Sequence, residues 1–314
     1  MSDDAPFPKE SDSAGRFVRQ ASRFREWVRA DGAGDHPAAP GRYHLYVCYA
    51  CPWAHRTIIA RRLKGLEGVI GMTAVDPLRD ERGWAFTDER RCGPDPINGF
   101  RFLAEAYAVS DPTFDGRVTV PVLWDKQAGR IVNNESADIL RMLNREFNEW
   151  AGDPELDLHP EDLREEIDAL NERVYNEVNN GVYRAGFATT QAAYEEAVGP
   201  LFAALDWLEE RLTGRRYLMG DRMTEADWRL FTTLVRFDAV YVGHFKCNLR
   251  RIADYPALSG YLRDLYQTPG VADTVDFDHI KRHYYMTHRT INPTGIVPAG
   301  PAQDLTAPHG RDGL

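Results

Sequence analysis

The sequence has little cysteine, fewer positive than negative charges, and no long apolar run. Its four cysteines are too few and too scattered for a disulfide framework in 314 residues, so we expect a reducing compartment. The 38 lysines and arginines against 48 acidic residues give a net charge of -10, which disfavours nucleic acid or an anionic membrane surface as a partner. Neither a run of 18 apolar residues nor a basic leader with an apolar core is present. We therefore expect a soluble, cytoplasmic protein.

The first half of the chain has the pattern of an α/β domain. Residues 1–38 are polar, and within them FVRQASRFREWV is either a short helix or a strapped-on extension. RYHLYVCYA then indicates a strand, WAHRTIIARRLKG an amphipathic helix and GVIGMTAV a second strand, which together are typical of a parallel βαβ unit. After a long excursion with a helical patch, RFLAEAY, two short strands and a helix complete a β-α-β-α-β-β-α order. This order predicts a thioredoxin-like domain at residues 39–150.

The second half has the pattern of an all-α domain. Four segments between residue 161 and about residue 285 carry apolar residues at three-to-four spacing, beginning with EDLREEIDALNERVYNEVNNGVY. Thr224 and Asp227 precede an apolar run at the spacing of a capping box. We place this domain at residues 158–290 and expect an irregular tail at residues 291–314, which are rich in proline and glycine.

A proline interrupts the strand VTVPVLWD. A central strand cannot spare an amide, and proline is normally confined to edges and bulges. A cis Val120-Pro121 bond at this position of a thioredoxin-like fold would end the strand pairing and turn the backbone of Val120 outward beside the active site.

Two cysteines lie three residues apart in YVCYACPWAHR. Cys48 and Cys51 could form a redox disulfide, supply half of a zinc site, or be inert thiols, or Cys51 alone could be reactive. Pro52 suits a first helical turn, so Cys51 would lie at a helix N-terminus, which lowers the pKa of a thiol. In redox pairs of this fold the resolving cysteine lies three residues after the reactive one, where this chain has Ala54. We therefore favour a mechanism with one protein thiol and an external thiol.

These motifs together resemble a known family. The segments CPWAHR, Val120-Pro121, NNESADI, NNGVYRAGFA and NPTGIVPAGP are similar to cysteine-type glutathione transferases, and more narrowly to the Xi class, the glutathionyl-hydroquinone reductases. The resemblance covers about residues 40–300. It implies glutathione as co-substrate, no metal, an aromatic glutathionyl-hydroquinone as the other substrate, and a homodimer.

The chemistry of glutathione suggests which residues bind it. Glu135 can accept the α-ammonium, Ser136 with its neighbouring amides can bind the γ-glutamyl carboxylate, and the backbone of Val120 can pair with the cysteinyl unit. The resemblance further implies Trp84 and Arg101 as glutathione contacts. Each has a structural alternative, namely helix capping for the Glu-Ser pair, packing for the tryptophan and a solvated surface charge for the arginine.

The resemblance also implies that Tyr183 and Tyr284 hydrogen-bond the oxygen of the aromatic substrate, whereas the neighbouring Tyr285 has no such role. Buried tyrosines are more often core residues with a satisfied hydroxyl.

The resulting hypothesis is a thiol transferase that releases hydroquinone from a glutathionyl-hydroquinone. Cys51 would attack the glutathione sulfur and form a mixed disulfide, which a second glutathione would resolve as oxidised glutathione. The alternatives are an omega-like dehydroascorbate reductase or general deglutathionylase, and a noncatalytic binding module on a transferase fold.

Overall fold

The computed structural model describes residues 10–314, which form two compact units. The first contains Gln20–Asp157 and Asp278–His283, and the second contains Glu10–Arg19, Leu158–Phe277 and Tyr284–Leu314. The domain boundaries read from composition, at residues 39–150 and 158–290, stay a prediction.

The first unit has the predicted order of elements around a four-stranded sheet. The strands run in the order β2-β1-β3-β4, with β1 and β2 parallel and the other pairs antiparallel. The elements are β1 (Tyr43–Val47), α1 (Pro52–Leu63), β2 (Gly71–Ala74), α2 (Leu103–Ser110), β3 (Val122–Asp125), β4 (Arg130–Asn133) and α3 (Ser136–Arg145). A last helix, α9 (Phe277–Arg282), lies almost wholly in the same unit. The thioredoxin-like fold is confirmed.

Strand β1 is buried along its whole length, as the central position of its apolar sequence requires. Helix α1 adds Ala54, Ile58 and Ile59 to the same core. Gly71 of β2 is needed at its position, because a Cβ atom there would lie 2.5 Å from Nδ1 of His44 on the neighbouring strand. The sheet and α1 thus fix the loop that joins β1 to α1.

The extension at residues 20–38 is strapped onto the sheet and is not a helix. The amide of Glu26 donates to the carbonyl of Val132 at 3.0 Å, and the amide of Asn134 donates to the carbonyl of Phe24 at 3.1 Å. Further along the extension, Nδ1 of His36 lies 2.8 Å from a carboxylate oxygen of Asp125 in β3. The extension therefore covers the otherwise exposed edge strand β4.

The second unit is helical, as predicted, but two of the predicted helices are interrupted. Its helices are α4 (Arg164–Arg173), α5 (Gly181–Gly186), α6 (Gln191–Leu212), α7 (Glu225–Arg236) and α8 (Pro256–Gln267). Wider π-helical turns follow α4, α7 and α9, at Val174–Asn179, Phe237–Tyr241 and His283–Thr287. Such turns insert a residue into the helical repeat and often mark functional sites.

Two further expectations for this half are confirmed. The amide of Thr224 donates to the Asp227 carboxylate at 2.7 Å, which completes the capping box of α7. Residues 288–314 contain neither helix nor strand, in agreement with the predicted irregular tail. No helix in residues 10–314 combines the length and the apolarity needed to span a bilayer.

Candidate functional site

Cys51 lies at the N-terminus of α1, where the sequence predicted it. It occupies the N-cap position, and Pro52 is the first helical residue. The thiol is partly exposed and donates to the carbonyl of Val120, with 3.6 Å between Sγ and the oxygen. The helix therefore presents the amides of its first turn and its positive dipole end to this sulfur, an arrangement that stabilises a thiolate.

Cys48 lies in a different environment. Its side chain is fully buried at the end of β1, and this burial raises the pKa of its thiol. All four cysteines are thiols and no disulfide joins them. Burial also raises the pKa of Cys247. Cys51 is therefore much better suited than Cys48 or Cys247 to react as a thiolate near neutral pH.

The Val120-Pro121 peptide bond is cis, as predicted. It immediately precedes β3, and the side chain of Val120 is buried. The carbonyl of Val120 is the acceptor for the Cys51 thiol, so the loop before β3 and the start of α1 meet at this point.

Glu135 and Ser136 lie together at the start of α3. Glu135 is the N-cap residue, and its carboxylate accepts from the amide of Ala137 at 3.2 Å and from the hydroxyl of Ser22 at 2.9 Å. Ser136 is almost fully buried. The capping interaction expected of Glu135 is thus present, and glutathione binding by the pair remains a prediction.

Sequence reasoning missed the part that Arg56 plays here. Its side chain, within the motif CPWAHR, is only 1% exposed. The guanidinium lies 4.5 Å from the ring centroid of Trp53 and donates to the hydroxyl of Ser136 at 3.4 Å. Arg56 therefore connects the helix that carries the thiol to the helix that begins with Ser136. The basic residue in CPWAHR was visible in the sequence, but its burial depends on how α1 and α3 pack.

Trp84 and Arg101 lie on paired segments of the long excursion. The amide of Phe86 donates to the carbonyl of Arg101, and the amide of Leu103 donates to that of Trp84. Trp84 is 4% exposed and stacks on His283 at 5.2 Å, and its buried Nε1 has no hydrogen-bond partner among the described residues. Arg101 is exposed and precedes α2, so the expectation that it lies on a helix is wrong.

The second unit brings Tyr183 and Tyr284 together across 101 residues of sequence. Their hydroxyl oxygens are 2.6 Å apart, and the hydroxyl of Tyr241 lies 3.1 Å from that of Tyr284. Tyr285 is turned away, since its hydroxyl donates to the carbonyl of Ala239 at 3.4 Å. Tyr241 was missed by sequence reasoning, because nothing in FDAVY distinguishes it from a core tyrosine.

The three phenols differ in exposure. Tyr241 and Tyr284 are 0% and 1% exposed, whereas Tyr183 is partly exposed. Burial, and then the proximity of Tyr183, raises the pKa of both Tyr241 and Tyr284. All three positions lie in or just after a π-helical turn. Tyr241 and Tyr284 are therefore protonated near neutral pH, and Tyr183 is the most accessible phenol of the three.

Two family models match the chain. One, described as the glutathione S-transferase N-terminal domain, matches residues 50–146, and the other, described as the C-terminal domain, matches residues 191–264. The chain therefore belongs to the glutathione transferase family.

Relatives of nearly the same length narrow this assignment. The glutathionyl-hydroquinone reductase PcpF of Sphingobium chlorophenolicum is 56% identical over 93% of this chain and 92% of its own. The glutathionyl-hydroquinone reductase YqjG of Escherichia coli K-12 is 54% identical over 96% of this chain and 93% of its own. The glutathione-bound structure of YqjG matches with a TM-score of 0.90 and covers 92% of this chain and 96% of that one. The glutathione transferase Xi of Phanerochaete chrysosporium matches with a TM-score of 0.91 and 52% identity, covering 93% and 95%. Within the family, the chain falls in the group of these reductases and Xi-class enzymes, as its motifs predicted.

Proposed function

We propose that this protein is a glutathione-dependent reductase that converts a glutathionyl-hydroquinone and glutathione into hydroquinone and oxidised glutathione. The observation that carries the proposal is the partly exposed Cys51 thiol at the N-terminus of α1, with alanine where a resolving cysteine would lie. A second substrate thiol must then complete the cycle. The two reductases at 54 to 56% identity support this choice of substrate.

The first half-reaction transfers the glutathionyl group to Cys51. The substrate reacts as its keto tautomer, in which the ring carbon that carries the sulfur also carries a hydrogen. The thiolate of Cys51 attacks the glutathione sulfur, an S–S bond forms and the bond from sulfur to the ring carbon breaks. The electron pair of that bond passes into the ring and appears as negative charge on the ring oxygen. Protonation of this oxygen gives the hydroquinone.

The phenols of the second unit are suited to that last step. A protonated phenol donates a hydrogen bond to an oxygen that gains charge, and such donors contribute most in the transition state. Tyr183 is partly exposed and is therefore the donor to the substrate in this proposal, while Tyr284 holds its hydroxyl at 2.6 Å. Their mutual hydrogen bond fixes the position of the donor before the substrate binds.

The second half-reaction returns the enzyme to its thiolate form. A second glutathione thiolate attacks the glutathione sulfur of the mixed disulfide, which releases oxidised glutathione and the Cys51 thiolate. Overall, one thioether sulfur and one glutathione thiol are oxidised to a disulfide while one ring carbon is reduced, so the reaction needs no other electron donor.

Glutathione binding in this proposal uses the first unit. Glu135 accepts the α-ammonium, Ser136 and the amides at the start of α3 bind the γ-glutamyl carboxylate, and the backbone of Val120 pairs with the cysteinyl residue. The buried Nε1 of Trp84, which has no hydrogen-bond partner within residues 10–314, supports a role as a donor to the ligand, since such groups are costly when left unpaired. The exposed guanidinium of Arg101 pairs with a carboxylate of glutathione.

The proposal extends to the state of the protein in the cell. We propose a cytoplasmic homodimer, supported by the thiol form of all four cysteines and by the family assignment. Light scattering with size-exclusion chromatography should give a mass of twice 35.7 kDa, and a mass of 35.7 kDa would refute the dimer.

Turnover on two substrates tests the proposal. In Tyr183→Phe and Tyr284→Phe, glutathionyl-hydroquinone turnover should fall about 10 to 1000-fold, because the first change removes the donor to the charged oxygen and the second removes the hydroxyl that holds this donor. Reduction of a simple glutathione mixed disulfide, which has no ring oxygen, should continue almost unchanged. Tyr285→Phe is the matched control and should retain both activities, since its hydroxyl donates to the backbone carbonyl of Ala239.

Other outcomes identify the alternatives. A parallel fall on both substrates, or no fall on either, would make the tyrosines packing residues and favour an omega-like deglutathionylase. Intact mass after incubation with oxidised glutathione addresses the noncatalytic reading, because a binding module with an inert cysteine would gain no glutathionyl group.

A further inference from the structure

The N-terminal segment Glu10–Arg19 is built into the second unit, although 138 residues of the first unit separate it from Leu158. The amide of Thr189 donates to the carbonyl of Gly15 at 3.1 Å, and the hydroxyl of Thr190 donates to that of Ala14 at 3.0 Å. Gly15 has a φ of +83°, and a Cβ atom on it would lie 2.5 Å from Oγ1 of Thr189. The segment is therefore fastened at the start of α6 by its backbone.

This fastening brings two side chains of the segment to Tyr183. The ring of Phe17, which is 8% exposed, lies 6.2 Å from the ring of Tyr183 at an interplanar angle of 27°. The guanidinium carbon of Arg19 lies 4.8 Å from the centroid of the Tyr183 ring and 5.2 Å from that of Phe17. Its Nε donates to Oδ1 of Asn180 at 2.7 Å, immediately before α5. The hydrogen bond to Asn180 thus holds Arg19 over the ring of Tyr183.

A cation over the face of an aromatic ring is attracted to the ring. The attraction grows when the phenol oxygen carries negative charge, because an opposite charge nearby favours the charged form. Arg19 is only partly exposed, so solvent screens this effect less than at an open surface. Among the described residues, the cluster around Tyr183 also includes the titratable or charged groups Tyr241, Tyr284, His244, His288 and Arg236.

We propose that Arg19 is a positioning residue for Tyr183, which supports negative charge on the phenol oxygen as its proton passes to the ring oxygen of the leaving hydroquinone. The phenol recovers a proton from solvent before the next cycle. Phe17 stacks on the same ring. This inference rests on the proposed function and assigns to the N-terminal segment a part in substrate selectivity.

Three variants test the role of the charge. Arg19→Met should lower glutathionyl-hydroquinone turnover about 2 to 30-fold, the range that a cation-π contact spans, and should leave reduction of a simple glutathione mixed disulfide unchanged. Arg19→Lys should recover most of the loss, because it restores a cation. Arg16→Met is the matched control from the same segment, since Arg16 pairs with the exposed Glu196, and it should retain both activities.

A second measurement separates this inference from the proposed function. Ultraviolet titration measures tyrosine ionisation, and comparing Arg19→Met with and without Tyr183→Phe isolates the signal of Tyr183. Tyr183 should ionise at higher pH in Arg19→Met than in the protein that keeps the cation. An unchanged Tyr183 titration, equal losses in Arg19→Met and Arg16→Met, or a lysine variant no better than methionine would each overturn the role of Arg19. Absence of glutathionyl-hydroquinone turnover in the unmodified protein would instead refute the proposed function, and the titration would still report on Arg19.

Discussion

Burial separates the two cysteines of YVCYACPWAHR at the scale of single residues. Cys48 is buried and directly follows strand β1, whereas Cys51 is the N-cap of α1 and is partly exposed. Cys51→Ala should therefore abolish turnover on every glutathionylated substrate. Cys48→Ala should retain most of it, because this change removes only a buried sulfur. Steady-state rates on a mixed disulfide check both variants, and an inactive Cys48→Ala enzyme that still folds would reverse the assignment of the nucleophile.

Glu135 has a capping role as well as a proposed ligand role, and the two can be distinguished. Glu135→Gln keeps an oxygen that can accept from the amide of Ala137 but removes the negative charge. We expect it to weaken glutathione binding by about 1 to 3 kcal/mol, the scale for a hydrogen bond to a charged group. Calorimetric titration measures this. If Glu135→Gln binds like the unmodified protein while Glu135→Ala does not, the residue acts only as a cap.

Residue positions set by short-range patterns were predictable, and those set by packing were not. Cys51, Pro52 and the Thr224-Asp227 box follow from the preferences of helix N-termini, which a few neighbouring residues express. The burial of Arg56 and the contact of Tyr241 with Tyr284 depend on elements distant in sequence. Composition and periodicity carry no signal for such contacts.

At the scale of elements, the π-helical turns explain where helix prediction failed. Apolar periodicity in EDLREEIDALNERVYNEVNNGVY predicts one helix, and the structure divides it into α4, a wider turn and α5. An inserted residue barely changes the apolar period, so the sequence does not reveal it. Yet these turns set the rotation of α5, and with it the direction of Tyr183.

Helix α5 also approaches a neighbouring ring very closely. A Cβ atom on Gly186 would lie 2.1 Å from Cγ of Phe245, whose ring lies 5.5 Å from those of Tyr183 and Tyr241. Gly186→Ala should displace this ring and lower glutathionyl-hydroquinone turnover, with a cost of about 1 to 3 kcal/mol in stability. Gly199→Ala in α6 is the control, because nothing lies within 4 Å of its added methyl group. Equal urea unfolding midpoints and rates for the two variants would contradict the close packing.

At the scale of the whole molecule, buried histidines make stability depend on pH. Burial lowers the pKa of His44 in the first unit and of His244 in the second to about 4, below the unfolded value of 6.5. Their contribution is complete above pH 6.5 and is lost as the pH falls toward 4, because the unfolded chain takes up protons that the folded chain does not.

As the pH falls from 6.5 to 4, protonation of each histidine in the unfolded chain should therefore lower the free energy of unfolding by up to about 3 kcal/mol. His44→Gln, which can still bond Thr73, should flatten this dependence. Urea denaturation at pH 7.5 and 5 measures the difference, and an equal decline in the variant and the unmodified protein would show that His44 does not contribute.

The interleaving of the two units has a consequence for biosynthesis. Residues 10–19 are made before the first unit but belong to the second unit, and residues 278–283, which follow most of the second unit, complete the first. Domains usually fold in turn as the chain emerges at about 5 to 20 residues per second. Here the first unit lacks its last helix until residue 282 has been made, and residues 10–19 cannot pack in the second unit until the chain beyond Leu158 has been made. Neither half could be expressed complete by cutting the gene at one point.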